Sequence, residues 1–146
     1  MDEELLHGHN DSVYCVALSN GHVASGSEGG SIIIHSTSSN KVKYRADNVF
    51  TGGVEGLCYL LDGSGLVACG YDDEDEDEDE HEGTYLKVFS PSLELVQTLV
   101  GHDGGVWCVT VSPSGSHFAS GGLDRKVMIW SEPGEGGEWA RVQVLE

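Results

Sequence analysis

Basic residues are scarce in this sequence. Seven lysines and arginines stand against 25 aspartates and glutamates, a formal charge of −18. That balance argues against a protein that finds a nucleic-acid backbone or an anionic membrane by long-range attraction, so no nucleic acid and no membrane are expected among its partners. Basic proteins are the natural complement. No apolar stretch approaches the ~18 residues needed to cross a bilayer. The opening Met1-Asp2-Glu3-Glu4 lacks the positive n-region of a signal peptide, and a cytoplasmic or nuclear setting is expected. Runs of Ala, Leu, Lys and Glu at helical spacing are missing as well. No C-x-x-C pair occurs. Cys15, Cys58, Cys69 and Cys108 sit singly inside apolar segments, which predicts reduced, buried thiols rather than disulfides, a metal site or a bound cofactor.

What is abundant is glycine, at 21 of 146 positions, about twice the usual ~7% share. Short apolar runs alternate with turns such as Ser19-Asn20-Gly21 and Asp62-Gly63-Ser64-Gly65, a pattern that suits an antiparallel meander. The meander repeats. His102-Asp103-Gly104-Gly105-Val106-Trp107-Cys108-Val109 echoes His9-Asn10-Asp11-Ser12-Val13-Tyr14-Cys15-Val16 position for position. Phe118-Ala119-Ser120-Gly121-Gly122 echoes Val23-Ala24-Ser25-Gly26-Ser27, and Val127 to Trp130 echoes Ile32 to His35. A weaker copy lies between, at Val54 to Tyr59, Leu66 to Gly70 and Tyr85 to Phe89. With its acidic stretch set aside, two repeats fill the interval from His9 to His102 at roughly 40 to 45 residues each, the period of four-stranded propeller blades.

In its Gly-His opening, Ser-Pro-Ser-Gly at 112–115, Ala-Ser-Gly-Gly at 119–122, Asp124 and closing Ile129-Trp130, the sequence resembles the WD-repeat family. The resemblance implies an all-β fold of about three four-stranded antiparallel blades, an incomplete ring. Repeat one is expected at about 3–41, repeat two at about 42–92 with an insertion at 72–82, repeat three at about 93–138, and a further outer strand from 139–146. It also implies a buried hydrogen-bonded chain in each blade, formed here by His102, Ser120, Asp124 and Trp130, with His9 and Ser25 as partial counterparts. Serine, histidine and aspartate in one network invite comparison with a hydrolase, but such a chain consumes its own donors and acceptors and leaves no nucleophile. No catalytic residues are expected. The other repeats depart from the pattern. In the first, Gly29 falls where the aspartate belongs and His35 replaces the tryptophan. In the second, Gly52-Gly53 replaces Gly-His, Cys69 falls at the serine position and Phe89 replaces the tryptophan.

The insertion begins with nine consecutive acids, Asp72, Asp73, Glu74, Asp75, Glu76, Asp77, Glu78, Asp79 and Glu80. Like charges in such a block self-repel and stay solvated. Placed between the second and third strands of the middle blade, the run is either a docking loop for a basic partner or a solvated insertion with no partner of its own. Alternating Asp and Glu without a glycine turn does not make a calcium loop. Gly63-Ser64-Gly65-Leu66-Val67-Ala68 matches a dinucleotide-binding pattern, but a strand, not a helix, is expected after it. His7 beside His9 and His81 between two glutamates are too few to chelate a metal.

Three repeats leave two blade faces open, and closed propellers have typically 4 to 8 blades. The expectation is a piece of a longer propeller, or self-association that closes a ring. The expected function is a non-catalytic scaffold or adaptor for other proteins. One alternative is a reader of a basic peptide through the propeller channel or the acidic loop. Another rests on the acidic outer segments and the Trp130-to-Trp139 spacing, which are similar to cytosolic iron-sulfur assembly WD-repeat scaffolds although such features recur widely.

Overall fold

A computed structural model describes residues 8–72, 85–132 and 137–146, and within these the turns separate twelve short strands. β1 (Val13–Ser19), β2 (His22–Ser27), β3 (Ile32–Ser36) and β4 (Val42–Ala46) form one antiparallel sheet in sequence order. β5 (Gly53–Tyr59), β6 (Leu66–Tyr71), β7 (Leu86–Phe89) and β8 (Leu95–Leu99) form the second, and β9 (Val106–Val111), β10 (His117–Gly122), β11 (Val127–Ser131) and β12 (Ala140–Leu145) the third. The fold is therefore all-β. Each sheet closes with the strand that opens the next sequence repeat, so β12 pairs with β11 as the fourth strand of the third sheet.

Two irregularities recur in every sheet. The register of the first strand skips one residue, at Tyr14, Glu55 and Trp107. The fourth strand skips one at Lys43, Val96 and Val142. A bulge re-aims the side chain it carries and increases the local twist, so the three first-strand bulges turn an aromatic or acidic side chain outward at the same end of each sheet.

The sheets stack face to face. Ala24, Ile32, Ile34, Phe50, Val54, Leu57, Leu66 and Phe89 fill the space between the first and second. Cys58, Val67, Val88, Val106, Phe118, Met128, Trp130 and Trp139 fill the space between the second and third. Each such aliphatic or aromatic side chain contributes on the order of 1.5–3 kcal/mol by leaving water. Close approach at the inner strands depends on Gly26, where a Cβ would stand 2.5 Å from Val54 Cγ1. Gln97 ties the outer rim, accepting from the Trp139 amide at 2.8 Å and donating to its carbonyl at 2.9 Å.

Among the described residues, only the middle sheet is covered on both faces. The inner strands of its neighbours are not, so Val16 is 65% and Leu18 75% exposed. This corrects the expectation of four buried thiols. Cys58 and Cys69 are buried, Cys15 is half-buried and Cys108 is exposed, because β9 turns Cys108 toward the face with no sheet against it among the described residues.

Candidate functional site

The polar residues singled out in the third repeat meet in one chain of contacts. His102, in the turn before β9, lies under β10 with 3% of its surface exposed. Its Nδ1 is 3.0 Å from both oxygens of Asp124, and its Nε2 is 2.8 Å from Ser120 Oγ. Trp130 Nε1 donates to the same Ser120 Oγ at 3.0 Å. With a neutral imidazole the direction of every bond follows from what each group can do. An ionised carboxylate only accepts, so Nδ1–H donates to Asp124. Nε2 must then accept from the Ser120 hydroxyl, whose oxygen accepts from the indole. The chain runs from Trp130 through Ser120 and His102 to Asp124 with each of these donors used once.

Asp124 closes the turn as well as the chain. It accepts from the backbone N–H of Asp103 at 3.1 Å and of Lys126 at 3.2 Å. Burial pushes its carboxyl up, but the bonds from His102 and these two amides outweigh that and hold it below the ordinary carboxylate range.

The first repeat keeps half of this arrangement. His9 Nε2 lies 2.8 Å from Ser25 Oγ, while His9 Nδ1 has no hydrogen-bond partner among the described residues. Gly29 leaves the aspartate position without a side chain, and the Asp11 carboxylate stands where a Cβ on residue 29 would be. Burial lowers the His9 imidazole below its usual value; the Ser25 bond opposes that shift, and Arg45 and His35 add to it. His35, in the tryptophan position, is 2% exposed.

In the second repeat the strand register corrects two assignments. Counting back from Val54, which matches Val106 as the first inner-strand residue before the bulge, puts Phe50 rather than Gly52-Gly53 at the histidine position. Leu66 pairs with Phe89 as Phe118 pairs with Trp130, so Ala68, not Cys69, occupies the serine position. Phe50 and Ala68 are 1% and 0% exposed. Lys87, opposite Ala68, places its ammonium 4.9 Å from the centre of the Phe50 ring and donates to Val49 O at 2.6 Å. An apolar contact capped by a cation over a ring thus replaces the polar chain. The misreading came from following the glycines. The apolar Phe50 four residues before Val54 was the signal, because His9 and His102 hold the same offset from Val13 and Val106.

Of the acidic run, Asp72 is described, and its Oδ1 accepts from Thr51 N–H at 2.8 Å and the Thr51 hydroxyl at 3.2 Å. Asp73 to Glu80, with His7 and His81, lie outside the described residues. The segment after Gly63-Ser64-Gly65 is strand β6. Burial pushes the Cys15 and Cys58 thiols up to about 12, and that of Cys69 further. No group of three His, Cys, Asp or Glu side chains converges on a metal-sized site among the described residues.

One site carried no sequence motif. Where β6 ends, Tyr71 meets the bulged Trp107 with ring centroids 5.4 Å apart and planes inclined at 54°. With Asp72, Tyr85, Asp103, Gly104, Gly105 and Leu123 the pair lines a cleft of about 290 Å³.

Comparison with known proteins points the same way. The family described as "WD domain, G-beta repeat" matches residues 3–36 and 93–131. A ribosome biogenesis protein WDR12 homolog of Chlamydomonas reinhardtii is 52% identical over 50 residues, 34% of this chain and 11% of that protein. A protein transport protein SEC13 of Chaetomium thermophilum is 45% identical over 62 residues, 39% of this chain and 20% of that protein. The chain thus spans a fifth or less of these relatives. Among solved structures, the RRP9 WD40 repeats superpose with a TM-score of 0.80 at 18% identity, over 97% of this chain and 41% of that one, which places the three sheets in the propeller fold.

Proposed function

The chain belongs to the WD-repeat family, and from that premise we propose that its blades form a non-catalytic platform on which other proteins of a complex assemble. One observation carries this reading: the single Ser-His-Asp set is spent internally. Ser120 Oγ is held by both Trp130 and His102 and the residue is 2% exposed, so its hydroxyl is closed to a substrate. What the protein offers to partners is surface. The relatives are named for ribosome biogenesis and for protein transport. Two such different names favour a shared platform over a shared chemistry.

Partners carrying basic segments fit best, since acids outnumber bases 25 to 7 and a surface of one sign steers the opposite sign to it. The setting that suits this role is the cytoplasm or nucleus. The test is affinity capture with the tagged 146-residue chain, read by quantitative mass spectrometry against a charge-matched acidic control. Recovery of a defined set of proteins enriched in Lys- and Arg-rich segments is the expected result. Recovery no different from the control would end the platform reading.

A further inference from the structure

The cleft between the second and third sheets combines three features. The first is an exposed aromatic wall. Of three tryptophans, Trp130 and Trp139 are buried, whereas Trp107 is 42% exposed, and Leu123 beside it is 64% exposed. The bulge at position 107 turns this indole against Tyr71 of the neighbouring sheet instead of letting it follow the strand. The second feature is close backbone approach. A Cβ on Gly105 would stand 3.0 Å from Tyr71 Cβ and 3.7 Å from the Trp107 ring, so the missing side chain lets the chain before β9 lie against the two rings without displacing them. The third is charge. Asp72 and Asp103 line the same cleft. Asp72 is anchored by Thr51, and Asp103 has the Lys126 ammonium only at 3.7 Å, a loose pair at the surface. The acidic run begins at Asp72, itself a cleft residue.

We infer that this cleft receives a cationic side chain of a basic protein segment, an arginine in preference to a lysine. A guanidinium is planar and weakly hydrated, so it stacks on the Trp107 and Tyr71 rings while its edge reaches the flanking carboxylates. The adjacent acids raise the local concentration of such segments and give the encounter a salt dependence. This assignment rests on the platform reading and names the chemistry one of its surfaces recognises.

The test is fluorescence anisotropy with a fluorescein-labelled Gly-Ser peptide bearing one central arginine, titrated with the 146-residue chain. Citrulline and lysine versions of the peptide serve as comparisons. Arginine should bind about tenfold tighter than citrulline, which keeps the shape and loses the charge. Trp107→Leu should remove roughly that same factor and Trp107→Phe should restore part of it. Gly105→Val, whose side chain would crowd Tyr71 and shift it from Trp107, should weaken binding with Trp107 intact. A second readout needs no variant: the emission of Trp107, the exposed indole, should shift on adding acetyl-arginine amide and stay still with acetyl-citrulline amide. Equal binding of arginine and citrulline would overturn the proposal, as would binding untouched by both substitutions in folded protein. Loss seen only when residues 73–80 are replaced by Gly and Ser would also overturn it, since attraction by the run alone would then explain the data. Failure here leaves the capture result standing, and failed capture beside intact arginine binding would remove the platform and keep the cleft.

Discussion

Replacing Asp124 with alanine tests whether the buried chain holds the third blade in register. Three donors lose their acceptor: the His102 Nδ1–H at 3.0 Å, and the amides of Asp103 and Lys126 at 3.1 and 3.2 Å. They are not equivalent. Asp103 is exposed and the turn around Lys126 is only half-buried, so both amides regain water. His102 has a 1% exposed side chain and does not. The cost is therefore that of one stranded buried donor, ~1–3 kcal/mol. For a chain of this length each kcal/mol shifts the melting temperature by roughly 2–4 °C, so a loss of about 4–8 °C is expected at the middle of that range. Asp124→Asn retains an acceptor for His102 and should lose less. The pH dependence adds a second check. The folded carboxyl lies below its ordinary 3.8, so its contribution is complete above that pH and disappears as the pH falls through the lower folded value. Thermal unfolding followed by circular dichroism at pH 7 and at stepwise lower pH should show parent and alanine variant converging in acid. An alanine variant that melts within about 1 °C of the parent at pH 7 would refute the assignment of the network as a register clamp.

Three further outcomes follow from the same contacts. Phe50→Ala should cost about 3–5 kcal/mol in urea unfolding, because it opens a cavity at the junction of the first two sheets and removes the ring beneath the Lys87 ammonium; an effect under 1 kcal/mol would show that Phe50 does not play the part of His102 in its repeat. Stability should fall as the pH drops below 6.5, the ordinary value from which burial lowers His9, because the unfolded chain takes up a proton that the folded chain resists. His9→Gln should flatten that part of the profile. Timed alkylation with iodoacetamide, read by peptide mass spectrometry, should modify exposed Cys108 first and buried Cys69 last; the reverse order would contradict the open face on β9.

The repeats show how one blade geometry survives different chemistry at its centre. The third sheet uses a complete polar chain, the first a truncated one, and the second an aromatic ring beneath a lysine. All three keep bulges at equivalent positions. Shape is thus carried by strand pairing and turns, while the clamp beneath varies: paired throughout in the third sheet, replaced by apolar contact in the second, and left with His9 Nδ1 unpaired among the described residues in the first.

Sequence by itself determined the architecture. Periodic Gly-His and Ser-Gly turns, β-rich apolar runs and a period near 40 residues specify four-stranded units, because turn chemistry and side-chain alternation act locally and can be read from neighbours along the chain. The resemblance to the WD-repeat family, not periodicity alone, implied that His102, Ser120, Asp124 and Trp130 would meet. Register was decided elsewhere. Ala68 and Phe50 took the serine and histidine positions only once strand pairing was known, because a one-residue slip between Ala68 and Cys69 moves a side chain to the opposite face of the sheet. Exposure was likewise tertiary: Cys15 and Cys108 share a repeat position but differ in burial, since one faces a neighbouring sheet and the other does not. The cleft of Tyr71 and Trp107 belongs wholly to this second class. Its two rings lie on different sheets, and only the stacking of those sheets, with a bulge on one and a glycine between, makes them a single surface.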